Sequence, residues 1–304
     1  MEKLLGEIIE KNKHLISQCK VSSYIPALEK SDPNHIGVTI MDLQGNLYKA
    51  GDYNVPFTIQ SISKVIALML AIMDNGEDEV FNKVGSKPTD DPFNTLYKLD
   101  FPHIEKPANP MINAGAIMTT SLIKGHKGER FNRLLELIRT ITGNPHISYN
   151  EEVYLSEKAT GSKNKAIAYL MNSRGFLKGD IEDILDSYFK QCSIEVDCLD
   201  VAKIGLFLAN RGIIPDTEDR IYGAKTTSTI TAIMATCGMY DFSGEYAIKV
   251  GIPSKSGVAG GVLATIPNKM GIAVYSPALD EFGNSIVGYN IMKDLSKELN
   301  LNIY

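Results

Sequence analysis

The 304-residue chain predicts an α/β domain assembled from both chain ends, with an all-α segment inserted between them. Strand-like runs occur near the N-terminus and again near the C-terminus. A helical period dominates from Glu77 to Cys237 between them, and no internal repeat or low-complexity stretch interrupts that order. At roughly 150 residues per domain the length suits two units. The expected boundaries are 1–76 together with 225–304 for the sheet domain, and 77–224 for the inserted helical domain, with the site between them.

Residues 2–20 carry Leu4, Leu5, Ile8, Ile9, Leu15 and Ile16 at helical spacing. Val38 and Ile40, then Leu47 and Tyr48, flank the turn Gln44-Gly45-Asn46, which is the pattern of a β-hairpin. Residues 61–74 form a helix that is apolar nearly all round beyond Lys64, so it is expected to be buried on most sides. Lys83 to Pro110 is Pro-rich and irregular, too long for a simple connector, and is expected to shape a site. Helices follow over 130–142, stopped by Gly143; from a cap at Asn150; over 164–171 and 181–189; and over 197–210, ended by Gly212. Short apolar runs at 246–250, 261–266 and 271–275, separated by turn residues, predict strands, and 285–299 a final helix.

The net charge of −5 gives no basic face for a nucleic acid. The longest apolar run, Val65 to Met73, is far short of the ~20 residues that span a bilayer, and the amphipathic, charged N-terminus lacks a secretory pattern. Four scattered cysteines, Cys19, Cys192, Cys198 and Cys237, make no disulfide framework, which points to a reducing cytoplasm. No Walker A loop, dinucleotide fingerprint, H-E-x-x-H or C-x-x-C is present, so the chemistry is expected to need no metal and no cofactor.

Ser61-Ile62-Ser63-Lys64 matches S-x-x-K, but so do Ser17/Lys20, Ser121/Lys124, Ser162/Lys165 and Ser187/Lys190. Ser61 stands apart by its place at the start of an apolar helix. Residues three apart share a helix face, so Lys64 can reach Ser61, and apolar surroundings lower a lysine's pKa toward that of a usable base. Spacing and burial alone favour the plainer reading, Ser61 as a helix cap and Lys64 as a surface charge. The late element Lys255-Ser256-Gly257, at a strand position, turns the balance. S-x-x-K followed by K-[ST]-G is the paired signature of serine β-lactamases and penicillin-binding proteins, in which the strand and the nucleophile's own N–H supply an oxyanion hole.

QSISK (60–64), NPMINAGAI (109–117), the Ser-Glu of YLSEKATGSKN (154–164), YFKQCSIEV (188–196), CGMYDFSG (237–244) and KSGVAGG (255–261) together resemble the serine-dependent glutaminases, in order and over nearly the whole chain. The compact bacterial form is the one matched, without an ankyrin-like tail. The resemblance implies a β-lactamase-like fold, an antiparallel sheet flanked by helices, and hydrolysis of L-glutamine to L-glutamate and ammonia through a γ-glutamyl ester. It assigns Ser61 as nucleophile and Lys64 as the group that takes its proton. Tyr240 would relay a proton to the leaving ammonia, and the backbone of Val258 with that of Ser61 would form the oxyanion hole. Tyr24, Asn113, Glu157, Asn164 and Tyr188 carry over as substrate contacts, Tyr188 also as a catalytic candidate. Lys255 joins the catalytic set, holding either the site's electrostatics or the substrate.

Chemistry agrees with these types. A carboxylate such as Glu157 suits an α-ammonium, and amides and phenols donate to an α-carboxylate. Each also has a plain structural alternative: Asn113 as a helix cap, Glu157 as a solvated helix residue, Tyr188 as core. A homodimer or homotetramer is expected from the family. Two rivals remain at this point. One is a penicillin-recognising enzyme, disfavoured by the missing S-D-N motif and export signal. The other is a catalytically dead binding module, disfavoured because Ser61, Lys64 and Tyr240 are all present.

Overall fold

The computed structural model describes residues 1–214, 217–280 and 283–304. In chain order the elements are α1 (Glu2–Asn12), β1 (Gly37–Asp42), β2 (Leu47–Gly51), β3 (Phe57–Thr58), α2 (Ser63–Asn75), α3 (Glu77–Lys83), α4 (Asn113–Leu122), α5 (Glu129–Thr142), α6 (Glu151–Thr160), α7 (Ser162–Ser173), α8 (Ile181–Cys192), β4 (Glu195–Val196), α9 (Cys198–Ala209), α10 (Ala224–Cys237), α11 (Ser243–Lys249), β5 (Ser254–Ser256), β6 (Gly261–Ile266), β7 (Met270–Tyr275) and α12 (Ile286–Glu298). Among the described residues, no helix is long and apolar enough to cross a membrane.

A five-stranded antiparallel sheet runs β2-β1-β7-β6-β5. The expected hairpin forms β1 and β2, and the pairing of Val38 with Val274 and Ile40 with Ile272 joins the two chain ends in one sheet. Alternation along each strand sends side chains to two cores. Val38, Ile40, Val262, Ala264 and Val274 meet Leu5 and Ile8 of α1 and Ile291 and Leu295 of α12. Leu263, Ala273 and Tyr275 face the other core, with Val201 and Ile204 of α9.

Helix α9, which falls in the 77–224 segment, thus lies directly on the sheet. Two glycines allow this approach. A Cβ at Gly271 would stand 2.1 Å from Ala202 O and from Leu206 N, and one at Gly205 would stand 2.4 Å from Ala264 O. Helices α4, α6, α7 and α8 enclose a further core around Ile117, Ile167, Met171 and Leu185. Helix α2 runs through the middle: Ser63 to Ile72 are all buried, as its all-round apolar sequence predicts.

Two expected elements differ. The run 246–250 is not a strand but lies largely in α11, where Tyr246 and Val250, four apart, turn one helical face into the α1/α12 core while Ile248 stays 81% exposed. A central strand would have buried both faces. The helix expected over 2–20 ends at Asn12, whose side-chain amide bonds Ile8 O and Asp294, and the chain continues as a 3₁₀ turn over Lys13–Gln18.

Candidate active site

Ser61 lies in a tight 3₁₀ turn, Gln60–Ile62, that feeds β3 into α2. The first turn of α2 has no side-chain cap, so the hydroxyl of Ser61 is not spent on the helix end. Gln60 before it holds φ +48°, a left-handed conformation that costs a non-glycine residue about 1–3 kcal/mol and persists only where the surroundings enforce it. Part of that enforcement comes from β5. Gly257 abuts the turn so closely that a Cβ there would sit 2.9 Å from Ile59 O, 3.3 Å from Gln60 Cβ and 3.6 Å from Ser61 N. The glycine of K-S-G thereby brings the 257–258 backbone beside the Ser61 amide.

Lys64, one turn further on, is 1% exposed. Its Nζ donates to Asn113 Oδ1 at 2.7 Å and to Met111 O at 3.1 Å. Burial pulls its pKa down to about 8, against the opposing pull of Glu157. Asn113 opens α4, where it serves as a bridge rather than a cap: its Nδ2 donates to Asn164 Oδ1 at 2.8 Å. Asn164 on α7 and Asn94 in turn lie beside the hydroxyl of Tyr24, a residue exposed at the surface.

Glu157 on α6 is 3% exposed, and its Oε2 has no partner among the described residues. Burial pushes its pKa up to about 8, with Lys64 pulling the other way. An unpartnered buried carboxylate oxygen is costly, so this one is a vacant acceptor for a cation or donor. Tyr188 on α8 is buried near Glu157, Tyr24 and the Cys192 thiol, and burial raises its phenol well above the usual range. Ser63, inside the S-x-x-K motif, also has a buried hydroxyl beside Cys192.

Tyr240 begins a 3₁₀ turn, Tyr240–Phe242, with φ +56°. Its hydroxyl lies beside that of Ser61 and 3.5 Å from Ser256 O. Burial pushes this phenol up to about 12, so it holds its proton at neutral pH. Lys255 on β5 is fully buried behind it, with Nζ 4.2 Å from the centre of the Tyr240 ring. A cleft of about 590 Å³ reaches the cluster at Tyr24, Tyr240 and Val258.

The ten residues singled out from the sequence therefore form one connected group. The structure adds others. Phe93, in the irregular 83–110 stretch, packs on Tyr240 at 4.8 Å between ring centres and edge-on to Tyr24 at 5.9 Å, and its carbonyl accepts from Asn113 N at 2.8 Å. Asn94 beside it is held by Lys163 at 2.9 Å. Only the length of that stretch signalled a role; nothing marks Phe93 itself. Cys192 lies one turn beyond Tyr188 on the same face of α8 and, as an isolated cysteine, gave no signal. A separate cavity of about 540 Å³ opens on the loop near Phe81, Leu99 and Ile104 and contains none of the ten.

A family model described as Glutaminase matches residues 19–304. The chain belongs to the glutaminase family. It is 52% identical to Glutaminase 2 of Clostridium perfringens and 53% identical to a glutaminase of Clostridium tetani, in each case over the whole of both chains. Among solved structures it resembles a probable glutaminase from Bacillus subtilis complexed with 6-diazo-5-oxo-L-norleucine. That match has a TM-score of 0.91 and 36% identity, covering 99% of this chain and 95% of the other. It also resembles a Bacillus subtilis glutaminase in covalent complex with 5-oxo-L-norleucine, with a TM-score of 0.91 and 35% identity, over 100% and 99% of the two chains. The fold is accordingly β-lactamase-like, and the activity is that of a glutaminase, hydrolysis of L-glutamine to L-glutamate and ammonia. These full-length matches set aside the penicillin-recognising alternative.

Proposed function

We propose that this glutaminase works through an acyl-serine intermediate, with Ser61 as nucleophile. The carrying observation is the environment of Lys64. A neutral amine has two N–H donors and one lone pair. Two acceptors, Met111 O and Asn113 Oδ1, take the two donors, and a pKa near 8 leaves a usable fraction neutral. The lone pair is then free to accept the Ser61 proton.

Ser61 Oγ attacks the side-chain amide carbon of glutamine, and the 257–258 backbone with the Ser61 N–H holds the oxyanion. The C–N bond breaks as the leaving nitrogen takes a proton from Tyr240, which is protonated and adjacent to Ser61. Tyr240 is restored by the proton held on Lys64. Water then attacks the γ-glutamyl ester with the same groups acting in reverse, releasing glutamate and Ser61. Glu157, with its vacant buried oxygen, takes the α-ammonium. Tyr24, Asn113, Asn164 and Tyr188 surround the remaining polar atoms, and Tyr188 also bounds the catalytic space. The covalent adduct formed by the Bacillus subtilis relative with a glutamine-like diazo ketone supports a nucleophile in this site. The setting we propose is cytoplasmic, and the assembly a homodimer or homotetramer.

Ser61→Ala tests the scheme. It should abolish ammonia release while the protein melts as the wild type does, and Lys64→Ala should cost nearly as much, because the pair acts as a unit. Acid-quenched wild type should carry one γ-glutamyl group on the Ser61 peptide. More than trace turnover in Ser61→Ala, or the label on another residue, would rule the scheme out.

A further inference from the structure

The acyl-serine scheme gives a task to one of the two buried lysines and none to the other. Lys255 Nζ donates to Gly238 O at 2.8 Å and to Ser256 O at 2.7 Å, and the Tyr240 ring centre is 4.2 Å away. These are three acceptors, two carbonyls and a π-face, and an ammonium has three N–H donors. Burial and the charge of Lys64 pull the Lys255 pKa well below that of a free lysine, and the two carbonyl bonds form whether the amine is charged or neutral. The face of the Tyr240 ring covers the remaining side of the amine.

Two further observations tie Lys255 to Tyr240. Ser256 O accepts from both, from Lys255 Nζ at 2.7 Å and from the Tyr240 hydroxyl at 3.5 Å. The other carbonyl, Gly238 O, lies two residues before Tyr240, on the segment whose backbone must be forced to φ +56°. Lys255 thus pins the loop that carries the phenol, lies against its ring and shares the acceptor of its hydroxyl.

We propose that Lys255 is a positioning residue for Tyr240: it clamps the 238–240 segment to β5 and holds the phenol beside Ser61. This rests on the proton-transfer role given to Tyr240 above. Lys255 does not touch glutamine and is not itself the acid or base.

A double-mutant cycle tests it, with kcat and KM for ammonia release measured on the wild type, Lys255→Met, Tyr240→Phe and the double variant. Lys255→Met should lower kcat about 3- to 30-fold, of the order of losing one or two hydrogen bonds that pin the loop, with KM changed less than about twofold because substrate contacts survive. Tyr240→Phe should lower kcat by about 10²–10⁴. In the Tyr240→Phe background, adding Lys255→Met should change kcat by less than about twofold, since nothing remains to position. Losses that multiply would overturn the proposal and leave the role of Tyr240 standing, as would a Lys255→Met loss confined to KM. Wild-type turnover in Tyr240→Phe would overturn the proton-transfer role and this proposal with it. Lys255→Met strands two carbonyls; if it fails to fold, Lys255→Gln, which keeps N–H donors on a shorter side chain, replaces it in the same cycle: a smaller kcat loss is expected, absent again in the Tyr240→Phe background, and no loss or a loss that persists there would overturn the proposal.

Discussion

Glu157 and Lys64 are an acid and a base buried in one site, and burial moves their pKa values toward each other, both to about 8. In the proposed scheme Glu157 acts ionised and Lys64 neutral, and both conditions are met on raising the pH. The kcat/KM profile should therefore climb through about pH 8, and a profile flat from pH 6 to 9 would contradict the assignment of both. Stability gives a separate check. A carboxyl whose folded pKa is raised keeps its proton in the native state after the unfolded chain has lost it, so its contribution is present at low pH and is lost as pH rises from the ordinary carboxyl range to about 8. Lys64, lowered from 10.5 to about 8, acts above that window, where stability rises with pH. Glu157→Gln should flatten the first slope in urea unfolding and, by removing a charge that holds the Lys64 pKa up, start the second at a lower pH. The same variant should lose about 30- to several-thousand-fold in kcat/KM for glutamine, the cost of breaking a buried charge pair. An analogue lacking the α-amino group, already a poor substrate, should be hurt much less. An equal loss on both substrates would make Glu157 a structural residue.

Glycines set two close approaches between elements, and they serve different ends. Gly271 lets α9 lie on the sheet, far along the chain from Ser61, and a side chain there would collide with Ala202 O and Leu206 N. Gly271→Val should cost at least about 1–3 kcal/mol in urea unfolding, as overpacking does, with kcat of the folded fraction little changed. Gly257 lets β5 approach the Ser61 turn. Gly257→Val should instead depress kcat strongly at a modest cost in melting temperature, because the atoms displaced are those proposed to hold the oxyanion. Equal effects on stability and kcat in both variants would show that the two contacts are not separable. The 83–110 stretch works in the same way at this scale: it has little regular structure, yet Asn113 N and Lys163 hold its Phe93-Asn94 tip over Tyr24 and Tyr240.

For the molecule as a whole, the pairing of β1 with β7 decides where the site can be. It draws the C-terminal β5–β7 and the N-terminal β1–β3 together, so that Lys255 and Val258 reach Ser61 across nearly 200 positions of sequence. Helices α4, α6, α7 and α8 then bring Asn113, Glu157, Asn164 and Tyr188 to the other side. Among the described residues, no three His, Cys, Asp or Glu converge in a group that could hold a metal. Dialysis of the whole enzyme against a strong chelator should leave ammonia release intact. A loss restored by one divalent ion would show that the acyl-serine scheme lacks a component.

Local chemistry was legible from residue order alone. The hairpin turn at Gln44-Gly45-Asn46, the cap at Asn150, the all-round apolar α2 and the K-S-G strand each depend on neighbours a few positions away, and each is found where its pattern placed it. The ten candidate residues were picked out by sequence motifs, and the fold gathers them into one group. Other features could not be read in that way. The run 246–250 has the apolar content of a strand, and it is helical because Tyr246 and Val250 pack against a core made by α1 and α12 from the two chain ends. Whether Lys64 was a surface charge or a buried base depended on Met111 and Asn113, nearly fifty residues away. The contact of Lys255 with the ring of Tyr240 depended on how β5 and the 238–242 turn dock. Spacing along a chain encodes periodicity and turns, because those energies arise between near neighbours. Desolvation, acceptor count and ring contact arise from whatever distant segment packs against a group, so they exist only once the chain has folded.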